Sequence, residues 1–467
     1  MTDPRDEQER SIAELVPVPP AALELGARFR DAGHELYLVG GAIRDAILRR
    51  SPGPELDLAT DATPPETVRV LQGWSDARYM KGVDYGTVGA RKNGLELEIT
   101  TFREEVYRED SRKPEVTYSK DILTDLSRRD FTINAMALRL PEREFVDPHR
   151  GLFDLAHKVL RTPMEPERAF GDDPLRMLRA PRFVSTLGVE PAPELLAAIG
   201  EMRERLRIVS PERLRAELDR LLEGQHVARG LWTLVDTGLA DVFLPELPAL
   251  QLEQDPVHRH KDVLRHTIAV VERCPPEPVL RLAALLHDVG KPKTREITPE
   301  GVQFHHHEVV GARMAEERLR ALRYPEKTIR DVRRLVELHL RFHTYPGWSD
   351  GAVRRYVRDA GALLDQLNQL TRADCTTRNR ARAEALSRLQ DDLEERIARL
   401  AQEENLAAMR PPLDGNQIME RLGIGPGPAV GEAWRYLLEQ RIERGPMTEH
   451  EAGDMLDEWA RSKGISG

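Results

Sequence analysis

The sequence predicts an α+β protein in which a head built on a mixed sheet precedes an elongated, all-helical body. Up to about residue 160, short apolar runs of strand character, such as Leu36–Val39, alternate with segments of helical spacing. Beyond that point Leu, Ala and Arg recur at helical spacing, and no convincing strand pattern remains. A length of 467 residues suits roughly three domains at about 150 residues each.

Composition excludes several classes of protein. The net charge is −10, from 69 basic and 79 acidic residues, which argues against a protein that coats DNA through bulk positive charge. Two cysteines exclude a disulfide scaffold and a cysteine-based zinc finger and suit the reducing cytosol, so we expect a cytoplasmic protein. The charged N-terminus predicts no secretory signal, and the lack of a long uncharged apolar run predicts no membrane partner.

Composition shifts predict five segments. We expect a flexible tail over 1–20, the head over 21–162, a helical neck over 163–245, a second helical domain over 246–400 and a C-terminal helical tail over 401–467. The polar stretch Glu104–Lys120 shows neither the apolar spacing of a helix nor the alternation of a strand, so we predict a loop. The predicted elements of the head are helices over Ala21–Ala32 and Ala42–Arg50 and strands over Leu36–Val39, Leu56–Ala59, Thr87–Ala90, Leu95–Phe102 and Phe131–Leu138.

Two glycines, Gly40 and Gly41, end the first predicted strand and precede a helix. Because they have no side chains, backbone N–H groups can approach an anion there, and the helix N-terminus adds partial positive charge. Arg44 lies one turn into that helix, where its guanidinium would fork onto a phosphate oxygen. The pattern predicts a phosphate cradle, and an ordinary turn is the alternative because a Gly-Gly pair alone is a weak signal.

Three carboxylates follow the glycine turn. Glu55 and Asp57 are two residues apart on a predicted strand and therefore share one face, and Glu98 lies on another predicted strand. Carboxylates that converge on one sheet face bind hard divalent cations, usually Mg²⁺, for two-metal phosphoryl transfer. The alternative is a solvated strand face, but the glycine turn and the carboxylates in this order favour the catalytic interpretation.

The motifs LVGGAIRD, ELDLATDATP, EITTFR and DLSRRDFTINAMAL occur in this order and are followed by VDPHRGLFDLAHKVLRT and FGDDPLRMLRAPRF. Over about residues 36–222 the chain resembles the tRNA nucleotidyltransferase/poly(A) polymerase family, in its bacterial CCA-adding form. The resemblance implies a nucleotidyltransferase head in which Glu55 and Asp57 hold Mg²⁺. It also implies that Arg129, Asp130 and Asn134 bind the ribose and triphosphate of CTP or ATP. The chain departs from the family at Glu55, where Asp is usual.

The resemblance further assigns Asp173 and Arg176 to a protein template that reads the nucleotide base, with Arg179 on the same predicted helix in the nucleotide-binding set. A carboxylate and a guanidinium three residues apart on a helix offer acceptors and donors on one surface. Such a pair can satisfy the Watson–Crick edge of cytosine and, after a small shift, that of adenine. An ordinary surface ion pair is the alternative, and the position of the pair downstream of RRDFTINA favours the template.

A second constellation lies in the helical body. The segment LAALLHDVGKP delivers a His-Asp pair at the end of a predicted helix, and further His and Asp residues lie on neighbouring helices. Imidazoles and carboxylates from several helices suit one or two divalent metal ions that activate water. The pattern resembles the HD phosphohydrolase superfamily; the alternative is a set of core or capping histidines, the interpretation we favour for His305 and His306. The predicted metal ligands are His266, His287, Asp288, His307, His339 and Asp374.

These features predict a Mg²⁺-dependent, template-independent transfer of CMP and AMP from CTP and ATP to the 3′ end of tRNA, with a second, hydrolytic site. Two alternatives remain open. One is a poly(A) polymerase or an enzyme that adds only C or only A, and the other is an HD phosphohydrolase or tRNA-binding protein with a weakened transferase head. The stretch Arg313–Arg358, with twelve basic and six acidic residues, is a candidate track for RNA or a solvated helix face.

Overall fold

The structure is a computed structural model that describes residues 12–50, 53, 55–79, 86–106, 115–252, 262–298, 301–375, 380–404 and 410–465. The chain divides into two compact units, the first ending at Pro245 and the second beginning at Glu246. Among the described helices, none is long and apolar enough to cross a membrane.

Most strands lie in the first unit. Their bounds are β1 Leu36–Val39, β2 Glu55–Thr60, β3 Ala77–Tyr79, β4 Thr87–Lys92, β5 Leu95–Thr101, β6 Arg103–Val106, β7 Glu115–Tyr118, β8 Ala137–Leu140, β9 Glu144–Val146, β10 Val159–Leu160 and β11 Glu190–Pro191. Seven of them form one sheet in the order β3-β4-β5-β2-β1-β8-β9. Within it β2 and β5 run parallel, whereas the other paired neighbours are antiparallel. The mixed sheet confirms the predicted fold of the head.

The helices of the first unit cover the sheet and continue beyond it. Their bounds are α1 Pro20–Asp31, α2 Gly41–Ile47, α3 Pro64–Val70, α4 Ile122–Ser127, α5 Gly151–Ala156, α6 Pro166–Asp172, α7 Leu175–Leu187, α8 Pro193–Met202, α9 Pro211–Leu222, α10 Val227–Asp236 and α11 Leu239–Phe243. Helix α7 packs against α9 and α10. Gly230 permits the second contact, because a Cβ there would lie 2.7 Å from the Cβ of Ser185.

The second unit is mainly helical, as the sequence predicts. Its helices are α12 Val263–Arg273, α13 Pro278–Leu286, α14 Lys291–Thr294, α15 His307–Ala321, α16 Glu326–Leu338, α17 Asp350–Ala360, α18 Leu364–Asp374, α19 Arg380–Glu404, α20 Gly415–Leu422, α21 Pro428–Arg444 and α22 Glu449–Lys463. Helices α20 to α22 share a core that includes Ile418, Leu437 and Trp459. This tail also packs against α17, where Arg354 donates a hydrogen bond to the carbonyl oxygen of Ile442.

Three sequence predictions about strands are wrong in detail. The strand predicted over Phe131–Leu138 begins only at β8, because Thr132–Asn134 forms a 3₁₀ turn whose Thr132 hydroxyl donates to the buried Asp154 carboxylate. Part of Glu104–Lys120 is not loop: it forms β7 and all but the first residue of β6, which pair as an antiparallel hairpin, and residues 107–114 lie outside the described part of the chain. A second hairpin, β12 Arg295–Thr298 with β13 Gly301–Phe304, interrupts the helical body.

The physical reason for missing this second hairpin is its polarity. Its residues are half-buried or exposed, and Ile297 has 72% of its surface accessible, so no apolar alternation marks the strands. The predicted N-terminal tail also differs from the structure where it is described. Ile12 and Val16 are buried, and the guanidinium of Arg143 donates hydrogen bonds to the carbonyl oxygens of Ala13 and Val16.

Candidate functional site

The first unit contains a cleft of about 1350 Å³. It opens at the carboxyl-terminal end of β1 and extends along α7 toward α9. Arginines dominate its lining, with fewer carboxylates among them. The lining includes Gly40, Gly41, Arg44, Asp57, Arg128, Arg129, Asp130, Asn134, Asp173, Arg176, Arg179, Phe183 and Arg213. Apart from Glu55 and Glu98, the predicted residues of the transferase site therefore meet in one cleft.

The glycine turn lies against an arginine of the cleft. Gly40 has a φ of +74°, in the left-handed region that favours glycine, and a Cβ there would lie 3.1 Å from Nη1 of Arg129. Gly41 is the first residue of α2, and Arg44 follows one turn later. The turn thus brings a bare backbone and two guanidinium groups to the same wall of the cleft, as an anion site requires.

The predicted metal carboxylates occupy neighbouring strands. Leu56 and Leu58 of β2 are buried, whereas Glu55 and Asp57 lie on the exposed side of the strand. The parallel register places Glu98 of β5 directly opposite Asp57. Partial desolvation and the nearby Glu55 carboxylate raise the pKa of Asp57, although Arg129 opposes the shift. Because crowding raises the free energy of the charged form, a cation bound here is favoured.

Each arginine beside the nucleotide-binding residues has a carboxylate or amide partner. Arg44 Nη1 donates to Asn134 Oδ1 at 2.5 Å, and Asn134 Nδ2 donates in turn to Asp130. Arg179 forms an ion pair with Asp130 at 2.9 Å. These contacts join Asp130 and Asn134, two of the residues that the resemblance assigns to the ribose and triphosphate, in one network with Arg44 and Arg179, so their side chains are oriented before a ligand binds.

The two predicted template residues are also held in place. Asp173 accepts a hydrogen bond from the backbone N–H of Leu175 at 3.1 Å and pairs with Arg213 of α9 at 2.8 Å. Arg176 is buried, and its guanidinium donates to the carbonyl oxygens of Ala169 and Arg128. Arg213 was missed from the sequence because it lies forty residues beyond Asp173, on a different helix.

Gly40→Ala should raise KM for the nucleoside triphosphate roughly tenfold, because the new methyl group displaces the Arg129 guanidinium from its place beside the turn. Gly33→Ala is the matched control. Gly33 also has a positive φ, +84°, so both variants carry backbone strain of about 1 kcal/mol, but a Cβ there has no neighbour within 4 Å. Steady-state kinetics and thermal unfolding should show similar stability losses and a KM effect only at Gly40. Equal KM values in the two variants would contradict the assigned role of Arg129.

The second unit brings all six predicted metal ligands together. They lie at helix ends or on α12: His266 is in α12, the pair His287-Asp288 follows α13, His307 begins α15, His339 follows α16 and Asp374 ends α18. Their ligand atoms form two compact groups, each within 4.8 Å: His266, His287 and Asp374 in one, and Asp288, His307 and His339 in the other.

The proton positions on three of these histidines follow from their hydrogen bonds. Nδ1 of His287 donates to the carbonyl oxygen of Ala284 at 2.8 Å, and His307 and His339 make the corresponding bond three residues back, at 2.9 and 2.6 Å. A ring nitrogen bonded to a carbonyl must carry the proton, which leaves Nε2 as the lone-pair atom of the neutral ring. The second nitrogen of a metal-ligating histidine usually makes this kind of contact.

The lone pairs of this centre face carboxylates. Nε2 of His287 and Nε2 of His307 lie 3.3 and 3.4 Å from Asp288 oxygens, and both nitrogens are buried without a well-aligned hydrogen bond to any described residue. Acceptors that face acceptors require a cation between them, either a proton or a metal ion. Burial alone lowers the pKa of His287, but Asp288 and Asp374 raise it to about 10, so a proton fills this role in the metal-free protein. The six residues therefore fit one or two divalent metal ions.

Two further residues contact the centre and were not predicted from the sequence. Nζ of Lys291 lies 2.7 Å from Asp288, and Nε2 of the half-exposed His343 lies 3.7 Å from Asp374. Lys291 lies three residues after Asp288 in the LAALLHDVGKP segment, and that spacing of about one helical turn was the available signal. By contrast, His305 and His306 are exposed, whereas His307 is buried.

The basic stretch Arg313–Arg358 is largely neutralised by the protein's own carboxylates. Several of the partners lie outside the stretch, which is why a local count overstated its charge. The ion pairs are Arg318–Glu246, Arg320–Glu316, Arg333–Glu316, Arg334–Glu337, Arg341–Asp359, Arg355–Glu443 and Arg358–Glu439. The stretch therefore loses most of the charge excess that suggested an RNA track.

Three family profiles match successive parts of the chain: the poly A polymerase head domain over residues 36–161, a probable RNA and SrmB-binding site of polymerase A over 188–250, and the HD domain over 265–418. A polymerase head that lines one part of the cleft, followed by the other two segments, indicates the class of nucleotidyltransferases.

Similarity to individual proteins is more specific. The chain is 38% identical over 349 residues to the A-adding tRNA nucleotidyltransferase of Deinococcus radiodurans, covering 72% of this chain and 79% of the relative. It is 40% identical over 227 residues to the CCA-adding enzyme of a Geobacillus species, a match to 48% of this chain and about half, 54%, of that enzyme. The chain therefore belongs to the tRNA nucleotidyltransferase/poly(A) polymerase family.

The fold is similar to that of a crystal structure of the Bacillus stearothermophilus CCA-adding enzyme in complex with CTP. The TM-score is 0.69 at 24% sequence identity, and the match covers 96% of this chain and 99% of that one. The match extends over both units, so each unit has a counterpart of similar fold in that structure.

Proposed function

We propose that this protein adds CMP and AMP, from CTP and ATP, to the 3′ end of tRNA and so completes the CCA terminus. The observation that carries the proposal is the cleft of the first unit. It brings the Asp57 carboxylate, the Gly40 turn and the Asp173–Arg176 pair within one cavity. An enzyme that selects a base without a nucleic-acid template needs a metal edge, a phosphate cradle and a base-reading surface in this combination.

The chain's own residues would position the two reactants. The Gly40 turn, Arg44 and Arg129 hold the triphosphate, because they present backbone and guanidinium donors to the same wall. Asp173 accepts from the exocyclic amine of the base, and Arg176 donates to its ring. The tRNA 3′-hydroxyl then attacks the α-phosphate in line, so that an O–P bond forms and the bond to pyrophosphate breaks.

Glu55 and Asp57 are the proposed ligands of Mg²⁺, with Glu98 as the third carboxylate. Bound Mg²⁺ would lower the pKa of the attacking hydroxyl and neutralise charge on the leaving pyrophosphate. The raised pKa of Asp57 supports this assignment, since a cation beside two crowded carboxylates relieves their repulsion. Glu55 places its oxygens one methylene further from the strand than aspartate would.

The decisive experiment uses tRNA transcripts that end before the first C, before the second C and before the final A. With CTP and ATP together, the purified protein should extend them by three, two and one nucleotides. Labelled products are resolved on a sequencing gel. Extension of the last transcript alone, or open-ended addition of A to all of them, would contradict CCA addition.

A-only addition is the second candidate for the head. It is favoured by the Deinococcus relative, which is named for that activity. The match to that relative covers more of this chain, and more of the relative, than the match to the Geobacillus enzyme does. The staged transcripts separate the two functions directly, because an A-adding enzyme acts only on the transcript that ends in CC. CTP should then give no product on any transcript.

We further propose that the second unit contains a metal-dependent phosphohydrolase site. The proposal rests on the buried, unpartnered Nε2 atoms of His287 and His307 that face the Asp288 carboxylate. A divalent metal held there would supply a water molecule of lowered pKa. Hydrolysis of a generic phosphate ester such as bis(p-nitrophenyl) phosphate, with Mn²⁺, Co²⁺, Ni²⁺ and Mg²⁺ compared, tests whether the site is active.

A further inference from the structure

Asp125 of α4 is a buried carboxylate at the back of the cleft. Its side chain is 1% exposed, and both of its oxygens are engaged by arginines that follow it in sequence. Oδ1 accepts from Nε of Arg128 at 3.1 Å and from Nη2 at 2.5 Å, and Oδ2 accepts from Nη2 of Arg129 at 3.1 Å. Because burial of a carboxylate has a high energetic cost, both oxygens need charged donors, which Arg128 supplies to Oδ1 and Arg129 to Oδ2.

The two arginines extend from this carboxylate to the cleft. Their side chains are 16% and 21% exposed, and both line the cavity, whereas Asp125 is absent from its lining among the described residues. The negative charge of Asp125 is therefore buried behind the cleft wall, and the positive charges of Arg128 and Arg129 are on the surface of that wall. An anion in the cleft meets donors without meeting the carboxylate that holds them.

The ion triad is present at neutral pH. Burial alone would raise the pKa of Asp125, but the guanidinium groups of Arg128 and Arg129 hold it below its usual value. The carboxylate is thus ionised at neutral pH and is a counter-ion for both arginines.

Arg129 has a competing partner on its other side. Arg129 and Asp57, a proposed metal ligand, both line the cleft. Without Asp125, the attraction between opposite charges would draw Arg129 onto Asp57. Asp125 therefore gives Arg129 an ion pair that does not involve the proposed metal ligand.

We propose that Asp125 is a positioning residue that sets Arg128 and Arg129 for binding the triphosphate of the incoming nucleotide. The inference rests on the proposed nucleotide-transfer function. It extends that function to two residues, Asp125 and Arg128, that have no role in the phosphate cradle or the metal edge as described above. Arg128 also accepts a hydrogen bond at its carbonyl oxygen from Arg176, so the same segment connects triphosphate binding to the base-reading helix.

The test is the affinity of Asp125→Asn for CTP, ATP and inorganic tripolyphosphate, measured by calorimetry on the full chain without tRNA. All three should bind roughly 10- to 100-fold more weakly than to the wild-type protein, because asparagine cannot anchor two guanidinium groups. Cytidine, which has no phosphate, should lose no affinity. In steady-state transfer, KM should rise more than kcat falls.

Asp121→Asn is the matched control, since Asp121 caps the same helix by accepting from Leu123 N and is not among the ion-pair partners of Arg128 and Arg129 in the described part of the chain. Thermal unfolding of both variants separates a folding defect from a binding defect. A merely structural role for Asp125 predicts fewer binding sites with unchanged affinity, and unchanged tripolyphosphate affinity in Asp125→Asn would overturn the proposal. If the wild-type protein itself failed to bind CTP and ATP, the proposed function would fail instead.

Discussion

Asp57→Asn should lower nucleotide transfer by roughly 10³-fold, since a lost metal carboxylate removes several kcal/mol of charge stabilisation at about 1.4 kcal/mol per factor of ten. The loss should fall on kcat, because the triphosphate and the base retain their own contacts in the cleft. Asp57 lies opposite Glu98 across the parallel β2–β5 pair, so its replacement leaves Glu98 without the neighbouring carboxylate with which it would share the metal ion. Single-turnover transfer to a tRNA ending in CC measures the effect.

Asp76→Asn provides the same substitution on the far edge of the sheet, where an exposed Asp76 accepts a hydrogen bond from Asn93 N. Its transfer rate should equal that of the wild-type protein. Hydrolysis by the second unit should be the same in all three proteins and serves as an internal standard for folding. A rise in KM without a fall in kcat would show that Asp57 binds the substrate and does not act as a metal ligand.

His287→Gln should remove bound metal from the second unit and lower phosphate-ester hydrolysis by about 100-fold or more, because loss of even a group that supports a ligand costs 10–100-fold. His287 is fully buried between Asp288 and Asp374, at 3.3 and 3.6 Å. Its removal leaves two buried carboxylates with one cation fewer, so the melting temperature of the metal-free variant should also fall. Elemental analysis of the dialysed protein gives the metal content.

His305→Gln makes the same change at an exposed histidine two residues before His307. It should retain metal, hydrolysis and stability. Transfer of nucleotides should be unaffected in both variants, since the cleft is lined by residues of the first unit. Full metal content in His287→Gln would show that the centre does not bind metal through this imidazole.

The sequence predicted the head well where side chains alternate and poorly where backbone turns depend on distant partners. The spacing of Glu55 and Asp57 identified a shared face because a strand has a period of two. The 3₁₀ turn at Thr132–Asn134 was predicted as strand, since its hydroxyl contact with Asp154 involves a residue twenty-two positions away. Local periodicity has no access to such a contact.

The two sites differ in how much of them a sequence can reveal. The six metal ligands of the second unit could be predicted because the chain has only 14 histidines and because a His-Asp pair stands at the end of an apolar helix. The supporting residues could not: Asp125 and Arg213 belong to the commonest charged types, and only the folded chain shows that they contact the cleft. The same limitation made Arg313–Arg358 look more basic than it is, because Glu439 and Glu443 neutralise it from a distance of about eighty residues.

The parallel pairing of β2 with β5 also bears on how the enzyme folds. The hairpins of the sheet join strands that are neighbours in sequence, and such contacts form quickly. Asp57 and Glu98 meet only after the intervening forty residues, with α3, β3 and β4, have crossed back to the sheet. Closing that loop costs chain entropy before any contact repays it. The edge that carries Asp57 and Glu98 therefore forms after the local hairpins of the head, so a newly made chain has its hairpins before its proposed metal ligands meet.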